Sequence, residues 1–178
     1  MIVTGIGARK RPNYIRLIIE NIMGNIAQRS IIRSGAADGC DTDFEDFAIG
    51  KEIFLPWKDF GNSDSKLYLD NIRPSLVDHA IEVIKYVHPA FKRLSRPATK
   101  LHTRNVFQVL GKNLDKPSDI LICYTENGEI KGGTATAINI AKLFDVPVYN
   151  LGRIDDIIAL IELGICDMKV LDILEEYA

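Results

Sequence analysis

Cysteine is scarce and badly spaced for chemistry. The 178-residue chain has three, Cys40, Cys123 and Cys166, and no two stand at a CxxC spacing. An odd, scattered set argues against a disulfide framework or a zinc site and fits small hydrophobes in a reducing cytosol. His79, His88 and His102 have no HxH or HExxH spacing, and the acids Asp38, Asp41, Asp43 and Glu45 lack the EF-hand order, so no metal is expected. Neither sign of charge dominates. Lys plus Arg is 22 against 24 for Asp plus Glu, a net charge of -2, so no global positive field draws the protein onto nucleic acid. Long apolar runs are missing too. Stretches such as Ile157–Ile161 are far too short to span a bilayer, which excludes a membrane partner. The start, MIVTGIGARKRP, puts its basic residues after its apolar ones, the wrong order for a signal peptide, and a cytoplasmic location is expected. Thirteen Gly and seven Pro are too few for a low-complexity linker. This length suits one domain over residues 1–178.

What is present alternates between strands and helices. Met1–Thr4, Ser30–Arg33, Glu52–Leu55, Ile120–Tyr124 and a strand within Val146–Leu151 are short apolar runs bounded by turn residues. Ile120–Tyr124 is continuous and apolar, as a central parallel strand is. Between the runs lie helical stripes. Ile15, Ile18, Ile19, Ile22, Met23 and Ile26 recur at helical spacing, as do Leu76, Val77, Ala80, Ile81, Ile84 and Val87. Gly61–Lys66 reads as a polar excursion and Arg93–Thr99, with Pro97, as irregular. The expected fold class is α/β: a Rossmann-like, doubly wound parallel sheet of about five strands with helices on both faces. A helical insertion over 60–112 falls between strands three and four, and helices over 153–178 close the chain. In such sheets ligands bind at the carboxyl ends of strands, near the switch in strand order.

Three glycine-bearing loops follow strands and would meet at that edge. They are Thr4-Gly5-Ile6-Gly7-Ala8-Arg9, Ser34-Gly35-Ala36-Ala37-Asp38-Gly39-Cys40-Asp41 and Lys131-Gly132-Gly133-Thr134. Glycine lets a ligand approach the backbone, and each loop feeds a helix N-terminus, whose free N–H groups favour an anion. Tight βα turns alone would also use glycine. The dinucleotide fingerprint fails because Lys10 stands where its third Gly belongs, and Gly132-Gly133-Thr134 lacks the Walker Lys. No cofactor is expected. Asp41 could cap its helix or hold a ribose hydroxyl, Cys40 reads as packing, and Trp57 could stack on a base or simply pack.

The order TGxGxR, SGxAxGxD with a Phe-Glu helix, RN, GGTxTAI and a VPVYNL strand resembles the SLOG superfamily. That group is similar to the Rossmann-like domains of DprA and of the LOG phosphoribohydrolases, and the pattern looks most like the small stand-alone DprA-like proteins of tailed phages. The resemblance runs from Met1 to about Leu151. It implies a nucleotide or nucleic-acid ligand at the strand ends. Carried over residue by residue, it places Gly5, Gly7 and Arg9 in the first ligand loop. Ser34, Gly35, Asp38, Gly39 and Asp41 fall in the second. Arg104 and Asn105 match the RN pair, and Gly132, Gly133 and Thr134 the GGT. Arg9 and Arg104 would pair with phosphate. The LOG pattern PGGxGTxxE ends in a Glu that is absent after Thr134, so no catalytic residue is assigned. Glu126 and Glu129 are the nearby substitutes.

The first expectation is a binder of a phosphorylated nucleoside or nucleotide-derived signal, which in a phage would sequester it. The alternatives are a nucleoside 5'-monophosphate N-glycosidase and a DprA-like single-stranded DNA binder. The last would use Arg9, Lys10, Arg11, Lys92, Arg93, Arg96, Lys100 and Arg104 as a basic surface. The superfamily resemblance also implies a homo-oligomer.

Overall fold

The computed structural model describes residues 1–177. Six parallel strands form one sheet in the order β4-β3-β2-β1-β5-β6. They are β1 (Ile2–Gly7), β2 (Ile31–Ser34), β3 (Gly50–Leu55), β4 (Leu67–Tyr68), β5 (Ile120–Tyr124) and β6 (Val148–Asn150). The fold is the expected Rossmann-like α/β arrangement with one strand more than the five anticipated. The extra strand, β4, pairs Leu67 with Phe54 and Tyr68 with Leu55 at the sheet edge. Two residues carry no periodicity, so no pattern marks them in the sequence. β1 also runs on to Gly7, because Gly5 and Gly7 continue the ladder opposite Ile122 and Tyr124 of β5.

Two layers cover the sheet. One face packs against α1 (Asn13–Ile26), α2 (Cys40–Phe47), α6 (Ile154–Glu162) and α7 (Lys169–Tyr177). The apolar stripe of α1 is the reason: Ile15, Ile18, Ile19, Ile22, Met23 and Ile26 are all buried. Each such side chain contributes about 1.5–3 kcal/mol of burial. The other face packs against α3 (Pro74–Val87), α4 (Arg96–Leu110) and α5 (Gly132–Leu143). β5 serves both layers by alternation. Ile120, Ile122 and Tyr124 join the first core, and Leu121 and Cys123 the second.

α4 starts where an irregular piece was expected. Ser95 caps it, its Oγ accepting the Ala98 N–H at 3.4 Å, and Pro97 falls in the first turn. Proline is tolerated there because that N–H has no partner within the helix. The apolar spacing of Val106, Val109 and Leu110 marks a helix ending near Gly111, as found, but its inner face upstream is Thr103, Arg104 and Asn105, which no apolar stripe reveals. It packs on β2 and β3 and so belongs to the sheet-covering layer.

The chain winds outward from β1 through β2 and β3 to β4. It then crosses back by α3 and α4 to lay β5 against the other side of β1. The switch in strand order therefore falls between β1 and β5, and their carboxyl ends open a crevice. Among the described residues no helix is long and apolar enough to cross a membrane.

Candidate functional site: a cleft at the switch in strand order

A cleft of about 820 Å³ lies at this crevice. Its walls are the β1–α1 loop, the start of α2, one face of α4, and the segment from the end of β5 into α5. Of the residues expected in the site, Gly7, Arg9, Asp41, Arg104, Asn105, Gly132, Gly133 and Thr134 line it. Gly5, Ser34, Gly35, Asp38 and Gly39 stand outside the lining. Asp38 is exposed, and Ser34 is buried with its Oγ donating to the Asp41 carbonyl at 3.2 Å.

The floor is an ion pair. Arg104 Nη1 donates to Asp41 Oδ2 at 3.1 Å, and both side chains are almost wholly buried. Asp41 also accepts the Gly7 N–H at 3.2 Å. Its carboxylate thus ties α2 to β1 and α4 rather than capping α2, whose N-cap position is held by Gly39. Burial pushes the Asp41 carboxyl up and the Arg104 guanidinium down, and the contact between them opposes both shifts. Arg104 Nε and both amide atoms of Gln108, one turn further along α4, are buried without a hydrogen-bond partner among the described residues. The other acids of α2 go elsewhere. Asp43 pairs with Arg11 and Arg16, and Glu45 Oε1 accepts the Ala36 N–H at 2.6 Å. Burial pushes the Glu45 carboxyl up to about 7.

The glycines divide into two kinds. A Cβ on Gly5 would enter the Phe44 ring, and one on Gly7 would meet Cys40 Cβ at 2.8 Å. A Cβ on Gly35 would strike the Arg104 guanidinium, and Gly39, at φ +87°, lies against the Ala8 and Arg9 carbonyls. These four let helices and loops close on one another. At the other wall, a Cβ on Gly132 or Gly133 would meet nothing within 4 Å. Gly132 needs its positive φ of +67°, but Gly133 has neither a crowded neighbour nor a positive φ. Asn105 Nδ2 holds this corner by donating to the Gly133 carbonyl at 3.1 Å. No side chain caps α5, and no acid stands in its first turn. Its amide end therefore faces the cleft with its partial positive charge uncancelled.

Charged side chains frame the mouth. Arg9 and Lys10 are exposed on one lip. Lys131 on the other pairs with Glu129 at 2.9 Å and Glu126 at 3.5 Å. Glu126 lines the cleft, and both acids are exposed partners of Lys131. Trp57 packs edge-on against Phe60, with ring centroids 5.2 Å apart, and does not line the cleft. Cys40 is buried and its thiol is pushed up to about 12, which suits packing. Among the described residues no group of three His, Cys, Asp or Glu could hold a metal ion.

Sequence reasoning missed Leu101, His102, Gln108 and Tyr124 as lining residues. Helical spacing from Arg104 could have found Leu101 and Gln108, which stand three residues before it and four after. His102 Nδ1 contacts Thr136 Oγ1 at 2.9 Å, and burial, with the nearby His88 and Arg104, pushes the ring down to about 4.

No family model matches the chain, and no curated protein matches it. Among solved structures it is similar to DNA processing protein A from Helicobacter pylori. The two share 19% identity over 99% of this chain and 80% of that one, with a TM-score of 0.56. That structure describes single-stranded DNA binding by the Helicobacter protein. The likeness shows a shared fold.

Proposed function

We propose that the cleft binds the phosphate of a nucleotide, cradled by the backbone at Gly132, Gly133 and Thr134. The observation that carries this reading is Gly133. Nothing in the chain's own packing or backbone calls for glycine there, so the bare backbone suits close approach by a ligand. The uncapped end of α5 supplies N–H donors, the exposed Arg9 and Lys131 supply positive charge at the mouth, and the Arg104–Asp41 pair holds the floor in place. Calorimetric titration with nucleoside monophosphates tests the reading. Binding that Gly133→Ala removes, with the fold intact, is the expected result. No binding, or binding indifferent to Gly133→Ala, overturns it.

A second reading presents that phosphate within single-stranded DNA. The likeness to DNA processing protein A favours it, as do the exposed Arg9 and Lys10 at one lip and Lys92, Arg93 and Arg96 just before and at the start of α4. A strand crossing the cleft would contact several of these cations. Its affinity for oligodeoxynucleotides would then fall steeply with salt, by about 0.7 log units per log unit of salt for each phosphate neutralised. A flat salt dependence with tight mononucleotide binding keeps the ligand small. In the small-ligand case the protein returns its nucleotide intact, as the sequestration suggested by the SLOG resemblance requires. Release of free base on prolonged incubation would instead bring back the glycosidase reading.

A further inference from the structure

A second pocket, of about 470 Å³, adjoins the cleft at the α5 N-terminus. The two share His102, Lys131, Gly132 and Gly133, so a ligand at Gly133 reaches both. Their chemistry differs. The second pocket is walled by two imidazoles, His88 and His102, whose ring centroids lie 4.6 Å apart in an edge-to-face arrangement. Each ring is anchored through Nδ1. The Ala90 N–H donates to His88 Nδ1 at 3.2 Å, and Thr136 Oγ1 contacts His102 Nδ1 at 2.9 Å. A backbone N–H can only donate, so His88 Nδ1 accepts and its Nε2 is left as the ring's donor, with no acceptor among the described residues. Ile130 at the rim is 52% exposed and joins neither core. Asn139 Nδ2 donates to the Val87 carbonyl at 3.4 Å, which leaves its Oδ1 as an acceptor. Lys131 is the one charged side chain in the lining.

We propose that this pocket takes the nucleobase of the ligand whose phosphate lies at Gly133, so that the bound nucleotide straddles the N-terminus of α5. The proposal rests on the phosphate reading above and adds the part of the ligand that reading leaves unplaced. Two flat aromatic rings, an exposed aliphatic rim, and hydrogen-bonding groups at His88 Nε2 and Asn139 Oδ1 suit a heterocycle. His102, held neutral, does not turn the pocket into an anion site at pH 7. The base belongs equally to a free nucleotide or to one residue of a strand, because both present the same base beside the same phosphate.

The test compares ribose 5-phosphate with AMP, GMP, CMP and UMP. At least one nucleotide is expected to bind about tenfold more tightly than ribose 5-phosphate, the size of one base-stacking contact. Ile130→Ser, at an exposed site that leaves folding undisturbed, should reduce that advantage about threefold. Histidine ring signals in NMR give a second reading that needs no phosphate. Adding the corresponding nucleosides at millimolar concentration should move the signals of His88 and His102 and leave His79 in place. Equal affinity for ribose 5-phosphate and every nucleotide, or unmoved His88 and His102 signals, overturns the base pocket. Histidine shifts with nucleosides but no binding of ribose 5-phosphate would sink the phosphate reading and leave the base pocket standing. An oligodeoxynucleotide that moves the same signals at low salt alone would assign the base to a strand.

Discussion

On and behind the β1–α2 wall of the cleft, Gly7 in the lining and Gly5, Gly35 and Gly39 beneath it are pressed against Cys40, Phe44, Arg104 and two backbone carbonyls. On the α5 wall, Gly132 and Gly133 face open space. The same residue type, in loops that look alike in the sequence, does opposite work. On one wall glycine lets the protein close on itself, and on the other it leaves the backbone uncovered. The electrostatics follow the same division. The packed wall neutralises its own charge, with Asp41 on Arg104 and Asp43 on Arg11 and Arg16, while the open wall presents an uncapped helix end. A glycine-rich motif can therefore mark close packing or uncovered backbone, and only the fold tells the two apart.

The sharpest blow to the packed wall is Asp41→Ala. It leaves Arg104 buried without its partner and should cost about 3–5 kcal/mol in urea unfolding. A loss below about 1 kcal/mol would mean that the wall does not depend on this pair. Gly5→Ala comes next. Forcing a methyl into the fully buried Phe44 ring should cost about 3 kcal/mol, the upper end of overpacking, with the unfolding midpoint as the readout.

A pH titration of stability separates the walls by sign. Glu45, behind the packed wall, titrates at about 7 when folded against an ordinary 4.5. The folded state therefore holds a proton that the unfolded chain has released, and Glu45 stabilises less and less as pH rises from about 4.5 to about 7. Its removal by Glu45→Gln should abolish a decline of roughly 2 kcal/mol over that interval. His102, on the open wall, titrates at about 4 against an ordinary 6.5, so its contribution rises with pH between those values. His102→Gln should remove that rise. Variants that leave the pH profile unchanged would erase the distinction.

The smallest effect on stability is the most telling for function. Gly133→Ala should stabilise the protein by about 0.5–1 kcal/mol, because alanine suits a helix better and meets no neighbour. The same variant should lose nucleotide binding. A destabilised Gly133→Ala protein would place this glycine with the packed ones.

Much of the fold is legible in the residues. The isoleucine stripe of α1 and the apolar run of β5 announce their elements because burial there is nearly complete. β4 and the first half of α4 do not announce themselves. β4 is two residues on an edge, and the first half of α4 carries Arg96, Pro97, Thr99, Lys100 and His102 with Leu101 its one large apolar residue, so no stripe marks it. Of the candidate site, the first and third loops and the RN pair were legible as lining of the cleft, while the second loop brings only Asp41 of its expected residues to it. Which glycines were free was not legible, because the crowding of Gly5 or Gly35 comes from residues more than thirty positions away. His88 and His102 stayed hidden for the same reason. They meet only when the end of α3 packs beside α4.

The ends of the sheet carry a further consequence. β4 offers two paired residues and β6 three, with Pro147 just before β6. A strand from a misfolded neighbour would find little ladder to extend at either edge, and proline removes one donor beside β6. A sheet this apolar in its middle is thereby guarded against edge-to-edge aggregation by the brevity of its outermost strands.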